Sequence, residues 1–319
     1  MRRMDADEQF FKSILGSIVD KGDAMVYNIA PNRGIGNMIS YNPMEGIEII
    51  YNDFTMYGSM KKGFELDKKC IEINYCLEGH MEAELVNNKY IYMTSGDIGI
   101  FGYNVDILNF SFSDKHCKGI TVMLYLPEAI NSLNSFLDTD EFREEDFFDF
   151  IFRSNTCLVS HGNEKLDNIF KAFYLIPVEY RKHFLKIKVA ELILSLMSDA
   201  EDTTTEAVYF QKNYVDKIKK ARRILVDNLD RKITLPELAD MVGTNVTDLE
   251  KGFKGIYGNT VFNYMKKYRM QKAMELLTES QYTVLEISLL CGYANSSKFA
   301  KNFKETYGMT PLKYRNSRK

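Results

Sequence analysis

The pattern K-x-F-K-x-x-Y-G-x-T occurs twice in this chain, as KGFKGIYGNT from Lys251 to Thr260 and as KNFKETYGMT from Lys301 to Thr310. Each copy follows an apolar, helix-like segment ending in glycine, LADMVG closing at Gly243 and ISLLCG closing at Gly292, and then a short polar run. Helix, glycine turn, helix is the order of a helix-turn-helix. Gly292 follows Gly243 by 49 residues and Lys301 follows Lys251 by 50, so the second turn has gained one residue. A chain organised on this duplication must carry two similar helical units in tandem.

The local signals around each copy are specific. Thr234 is suited to cap a helix, with Pro236 in the first turn and Glu237 at the position that completes a capping box, for a helix ending at Val242. Asn245 is placed to cap the next helix, where Leu249, Phe253 and Tyr257 recur at i, i+4 and i+8 and point inward. Thr247, Glu250, Lys251 and Lys254 then occupy the opposite, outward face. Thr260 opens a long helix to about Thr278 whose apolar positions are Phe262, Met265, Met270, Ala273, Leu276 and Leu277. At ~1.5 Å per residue this is a rod of ~28 Å, long enough to hold two reading heads about one DNA turn apart. In the second unit Val284 to Leu290 is the first helix, and the next places Phe299, Phe303 and Tyr307 inward with Ser296, Ser297, Lys298 and Lys301 outward. Thr310-Pro311 starts a short terminal helix with a basic tail, and Tyr214 to Leu229 upstream reads as a basic amphipathic helix. Lys254, Lys266, Lys267, Lys304 and Arg315 are expected to contact phosphate or remain solvated, and Arg269 is a candidate internal salt-bridge partner.

Charge is divided unevenly along the chain. From Gln211 onward there are 21 Lys and Arg against 11 Asp and Glu, whereas the preceding residues hold 20 against 33, so a C-terminal surplus of ten positive charges lies hidden under an overall −3. The basic part suits a polyanion and the acidic part does not. The region from about 211 to 316 resembles the DNA-binding domain of the AraC family of bacterial transcription regulators, and GYANSSKFAKNFKETYGMTPLKYR, from Gly292 on, is close to that family's signature. The resemblance implies two helix-turn-helix units in successive major grooves, with base-facing positions on Thr247, Glu250 and Lys251 in the first and on Ser296, Ser297 and Lys301 in the second. Lys251 and Lys301 stand where the family commonly has arginine. A lysine lacks the planar fork that holds guanine bidentately, so each is read as a base or a phosphate contact. Gly252 and Gly255 interrupt the first recognition helix at ~1 kcal/mol each relative to alanine, and helix capping is the competing role for Ser296 and Ser297.

The first half has a different texture. Residues 5 to 20 place Phe10, Phe11, Ile14, Leu15, Ile18 and Val19 at helical spacing. From about Ala24 to Leu126 short runs rich in Ile, Tyr, Phe and Val predict many strands and hence a sandwich or barrel. Ile71, Ile73, Tyr75 and Leu77 share one face of such a strand, and Asn87-Asn88 sits where a two-residue hairpin turn is expected. After Pro127 come an acidic segment, EFREEDFFDFIF, and a helical pair with apolar stripes on Leu166, Ile169, Phe170, Phe173 and Ile176 and on Leu185, Val189, Leu192, Ile193, Leu196 and Met197. Those stripes fit either the domain core or a partner subunit. SDAEDTTTEA, 198 to 207, reads as an interdomain linker.

GHMEAELVNNKYIYMTSGDIGIF resembles, more loosely, the hairpin and Gly-Asp turn of the cupin-type barrel that often precedes the AraC-type domain. Tyr75, Tyr90, Tyr92 and Phe101 are candidates to line a pocket for a small effector, a filled aromatic core being the alternative. His80 and His116 stand without a His-x-His pair, so neither a metal site nor catalysis is expected. Five cysteines with no CxxC spacing fit buried thiols in a reducing cytoplasm. Asp5, Asp7 and Glu8 argue against an export signal, and no stretch approaches the ~18 apolar residues of a membrane span.

Together these features predict an α+β chain in four segments. Residues 1–126 form a cupin-like, β-rich sensor, 127–199 a helical segment for dimerisation, 200–210 a linker, and 211–319 an all-α tandem helix-turn-helix domain. The expected function is a cytoplasmic, homodimeric transcriptional activator that binds double-stranded promoter DNA under control of a small effector, with RNA polymerase as a candidate partner and no cofactor. Two alternatives stay open: control by a protein docking on the acidic half, and a cupin enzyme with an accessory DNA-binding module.

Overall fold

The structure, a computed structural model, describes residues 15–57, 60–61, 69–86, 88–102, 105, 107–144, 157–160, 164–198 and 209–317. The chain divides into two compact units, Met1–Gln211 and Lys212–Lys319.

The first unit is built on an antiparallel sheet of eleven strands among the described residues. They are β1 (Leu15–Asp20), β2 (Met25–Ile29), β3 (Gly34–Met44), β4 (Ile47–Met56), β5 (Met60–Lys61), β6 (Cys70–Leu85), β7 (Lys89–Met93), β8 (Ile98–Phe101), β9 (Ile107–Tyr125), β10 (Cys157–Ser160) and β11 (Phe210–Gln211). The order is β1-β2-β3-β4-β9-β6-β7-β11, with β8 and β10 branching from β6 and β5 lying on β9. Successive side chains of a strand face opposite sides. The register Ile49↔Val122 and Ile73↔Val122 therefore stacks branched side chains of β4, β9 and β6 on one face. That face is covered by α1 (Glu128–Leu137), α2 (Glu164–Phe173) and α3 (Arg181–Ser198).

Leu166, Ile169, Phe170, Phe173 and Ile176 share a single core with Leu185, Val189, Leu192, Ile193 and Leu196 and with the sheet's Ile71, Ile73 and Tyr75, and Leu77 packs against it. The apolar stripes of the helical pair thus lie in the unit's own core. Tyr75 joins the layers most directly, its ring stacked on Phe170 at 4.8 Å and its hydroxyl donating to Asp167.

Two local expectations are corrected. Residues 15–20 form β1 and not a helix, because Ile18 and Val19 take backbone partners in β2, opposite Tyr27 and Val26, and leave their side chains exposed. Phe10, Phe11 and Ile14 lie outside the described residues. The β6–β7 hairpin closes at Leu85 and Lys89, which makes the loop three residues long, with Asn88 left-handed at φ 58°. An αL residue before the returning strand is usual in loops of that length. Most of the acidic segment and of the linker also lies outside the described residues.

The second unit contains α4 (Lys212–Asp227), α5 (Leu235–Val242), α6 (Val246–Tyr257), α7 (Val261–Glu279), α8 (Val284–Leu290), α9 (Ser296–Tyr307) and α10 (Pro311–Asn316). The rod α7 has 19 residues, as its pattern predicts. Phe262, expected on its apolar side, is 77% exposed, and Tyr264 is buried in its place against the rings of Phe253 and Tyr257.

Candidate nucleic-acid interface

Each helix of the two repeated units starts on a satisfied cap. Thr234 and Glu237 form a capping box at α5, the Glu237 carboxylate accepting the Thr234 backbone N–H at 2.8 Å, and Thr283 and Glu286 repeat it at α8 at 2.7 Å. Those backbone bonds hold both carboxyls below the usual range. Asn245 accepts from the Asp248 backbone N–H at 2.8 Å and caps α6. Asn295 does the same for α9, accepting from the backbone N–H groups of Ser297 at 2.9 Å and Lys298 at 3.1 Å. The cap of α9 is therefore Asn295, and the Ser296 and Ser297 side chains are left exposed in the first turn. Asn is among the best N-cap residues, so its position just before the two serines was the available signal.

Aromatic side chains fix how each recognition helix is turned. Leu249, Phe253 and Tyr257 of α6 are buried, as are Phe299 and Phe303 of α9, with Tyr307 packed against Phe303 at 4.7 Å. The opposite faces are open: Thr247, Glu250, Lys251 and Lys254 on α6, and Ser296, Ser297, Lys298, Lys301 and Lys304 on α9, are all exposed. Lys266 is held in an ion pair with Glu305 at 3.5 Å. Arg315 is the exception among the residues expected at DNA. Its Nε donates to the Leu277 carbonyl at 3.4 Å and its Nη2 is buried, so the half-buried side chain also closes the end of α7.

The glycines of the two turns share a conformation and differ in surroundings. Gly243 and Gly292 both have positive φ, 70° and 75°. A Cβ on Gly243 would meet nothing within 4 Å, whereas one on Gly292 would lie 2.0 Å from the Leu229 carbonyl oxygen. Gly252 inside α6 is also closely packed, since a Cβ there would come within 2.5 Å of the buried Ile218 side chain on α4 and displace it.

The four aromatics expected around an effector do not converge. Tyr75 belongs to the core under α2, and Phe101 to a separate cluster with Ala83, Ile91 and Met93. Tyr90 and Tyr92 donate their hydroxyls to Glu84 and Glu82 at 2.7 and 2.6 Å, and Phe210 of β11 meets the Tyr92 ring edge-on. Among the described residues no group of three or more His, Cys, Asp or Glu is placed to hold a metal, and no helix is long and apolar enough to cross a membrane.

A family model described as "Helix-turn-helix domain" matches residues 238–317, from within α5 to the end of α10. The C-terminal unit is an AraC-type helix-turn-helix domain. The probable transcriptional regulator LumQ of Photobacterium leiognathi is 29% identical over 103 residues, covering 31% of this chain and 42% of LumQ. The xylose operon regulatory protein of Escherichia coli is 24% identical over 172 residues, covering 50% of this chain and 44% of that protein. The chain thus spans less than half the length of either relative. A crystal structure of a transcriptional regulator (AraC-type DNA-binding domain-containing proteins) from Chromobacterium violaceum is 24% identical, with a TM-score of 0.31 over 32% of this chain and 92% of that one.

The AraC-type domain should tolerate change unequally at its two turns. Gly243→Ala is expected to cost about 1–2 kcal/mol for a left-handed alanine. Gly292→Ala adds about 1–3 kcal/mol of overpacking against Leu229. Urea unfolding of the full chain measures both, and equal costs would contradict the close approach at Gly292.

Proposed function

We propose that the protein is a sequence-specific DNA-binding transcriptional regulator, an activator working in the cytoplasm as a homodimer, whose N-terminal unit responds to a small molecule. The observation that carries the DNA reading is the pair of outward faces on α6 and α9, exposed and polar on both copies of one repeat within the basic part of the chain. Lysines there neutralise phosphates and release counterions, while Thr, Ser and Glu side chains are of the type that reads base edges. Affinity for promoter DNA is expected to fall steeply with rising salt in a gel-shift titration. Lys301→Ala should cost about 1–3 kcal/mol on a specific site if Lys301 reads a base, with a loss that varies between sites. A uniform loss across unrelated sequences assigns Lys301 to phosphate, and a salt-independent affinity removes the DNA reading.

The first unit is taken as a cupin-like barrel, a reading supported by β6 and β9, each of which pairs with three strands and bends at register shifts. Tyr174, packed against the core between the sheet and its helices, supports an effector in this unit. Its hydroxyl is buried with no hydrogen-bond partner among the described residues, beside the edge-on ring of Tyr51. A polar ligand would supply that partner. A thermal-shift screen of the full chain is expected to find a metabolite that raises the melting temperature of the wild type more than that of Tyr174→Phe. A screen without any hit counts against effector control. All five cysteines are free and burial pushes the Cys291 thiol up to about 11, which fits protonated thiols in a reducing compartment.

Self-association is assigned to the outer side of α3. Phe184, Ile187 and Leu194 are exposed there, and with Glu191 they follow the alternating three- and four-residue spacing of a coiled-coil seam. A second copy offers the same seam, as a two-fold contact requires. Ile187→Glu with Leu194→Glu is expected to convert a dimer to a monomer in sedimentation experiments at micromolar concentration. A wild-type chain that is already monomeric there rules the contact out.

A further inference from the structure

The two reading heads are joined by more than the α7 rod. Leu229, two residues past the end of α4, presents its carbonyl to Nη2 of Arg269 on α7 at 3.0 Å. The same carbonyl fills the space next to the Gly292 turn of the second head. The Arg269 guanidinium lies 6.0 Å from the centre of the Tyr293 ring, whose hydroxyl accepts from the Asn302 side chain on α9 at 3.2 Å and whose edge meets Phe299 at 5.5 Å. One line of contact therefore runs from the end of α4, through the rod and over the second turn, to the second recognition helix.

The first turn has no counterpart to this wedge. Gly243 has open space around its Cβ position, and its carbonyl accepts from Lys217 of the neighbouring α4 at 2.7 Å. Arg269 is also a costly way to fill its site. The side chain is half-buried, and its Nε is buried with no partner among the described residues, so part of the guanidinium is desolvated with only one carbonyl and an aromatic face to offset the cost. A side chain held on such terms is explained by what it positions more readily than by what it stabilises.

We propose that Arg269 is a positioning residue that locks the second head against the end of α4, and so sets the distance between half-sites that the two recognition helices accept together. This rests on the DNA reading above. Two linked heads bind far more tightly than one only while their geometry allows both to engage. A head free to pivot accepts wrong spacings at the expense of the right one.

The test uses the full chain and a duplex selected with it from a random-sequence pool, together with the same duplex carrying one base pair inserted between the two protected segments. The wild type is expected to prefer the selected duplex about a hundredfold, the advantage of linked binding. Arg269→Met is expected to lower affinity for the selected duplex and bring the two affinities close together, as the loss of fixed geometry between linked heads predicts. An unchanged preference, or an equal loss on both duplexes, overturns the proposal. Should Arg269→Met lose its helical circular dichroism, Tyr293→Phe, which removes only the hydroxyl facing Asn302, decides by the same ratio: a reduced preference supports the brace and an unchanged one overturns it. Failure of the wild type to select any duplex overturns the DNA reading and the brace with it, whereas a preference shared by both variants overturns the brace alone.

Discussion

The rotation of two short helices about their own axes is fixed by aromatic burial, and the outward chemistry of the C-terminal unit depends on it. Phe253 and Tyr257 on α6, and Phe299 and Phe303 on α9, are nearly or fully inaccessible. Truncating a buried aromatic costs about 3–5 kcal/mol, whereas an exposed ion pair contributes about 0–1 kcal/mol. Burial therefore decides which way each helix faces, and the lysines and hydroxyls opposite are left with no structural duty. The caps follow the same logic, since Asn245 and Asn295 satisfy the first-turn amides and spare the residues that follow them.

The two copies differ where their neighbours differ. At corresponding positions the first copy has Gly252 and Gly255 and the second has Asn302 and Glu305. In the first, a Cβ at Gly252 would lie 2.5 Å from the Ile218 side chain of α4, which would have to shift to admit it. In the second, Asn302 donates to Tyr293 and Glu305 pairs with Lys266. Gly252 of α6 therefore reflects packing on α4, at the expense of local helix propensity, and the polar residues of α9 tie that helix to the second turn and to the rod. What duplicates in the sequence is the aromatic frame; what diverges is the contact each frame makes with the rest of the unit.

Legibility in the sequence tracked the range of the interaction. Thr234 with Glu237, Gly243, Asn245, Thr260 and Thr310 announce helix ends through contacts within four residues, and the structure places caps or turns at each. The partial burial of Arg315 is not legible locally, because the Leu277 carbonyl that accepts from it lies far back in the chain. Residues 15–20 misled for a related reason: Leu15, Ile18 and Val19 fit a helical stripe, but unpaired backbone on β2 offers ladder bonds that periodicity does not register. The outward residues of α6 and α9 were legible because one amphipathic period predicts both faces at once.

The sheet was legible as a sheet and not as a set of faces. Alternation places Ile71, Ile73 and Tyr75 together, and they are together. Register shifts follow, between Cys76 and Glu78 and again between Gly79 and Met81, and each interrupts the two-residue period. Beyond them Ala83 and Leu85 join Cys76 and Phe101 in a second cluster, while Tyr90 and Tyr92 turn to Glu84 and Glu82 on the strand they pair with. A tyrosine before the shifts and two after them cannot be assigned to one wall by counting. The effector reading therefore moves from those residues to Tyr174, which follows directly on α2 and leaves a buried hydroxyl without a protein acceptor among the described residues. An unsatisfied donor in an aromatic interior is a cost that folding alone does not require, and a ligand able to accept from it would be bound by the group the fold leaves unpaired.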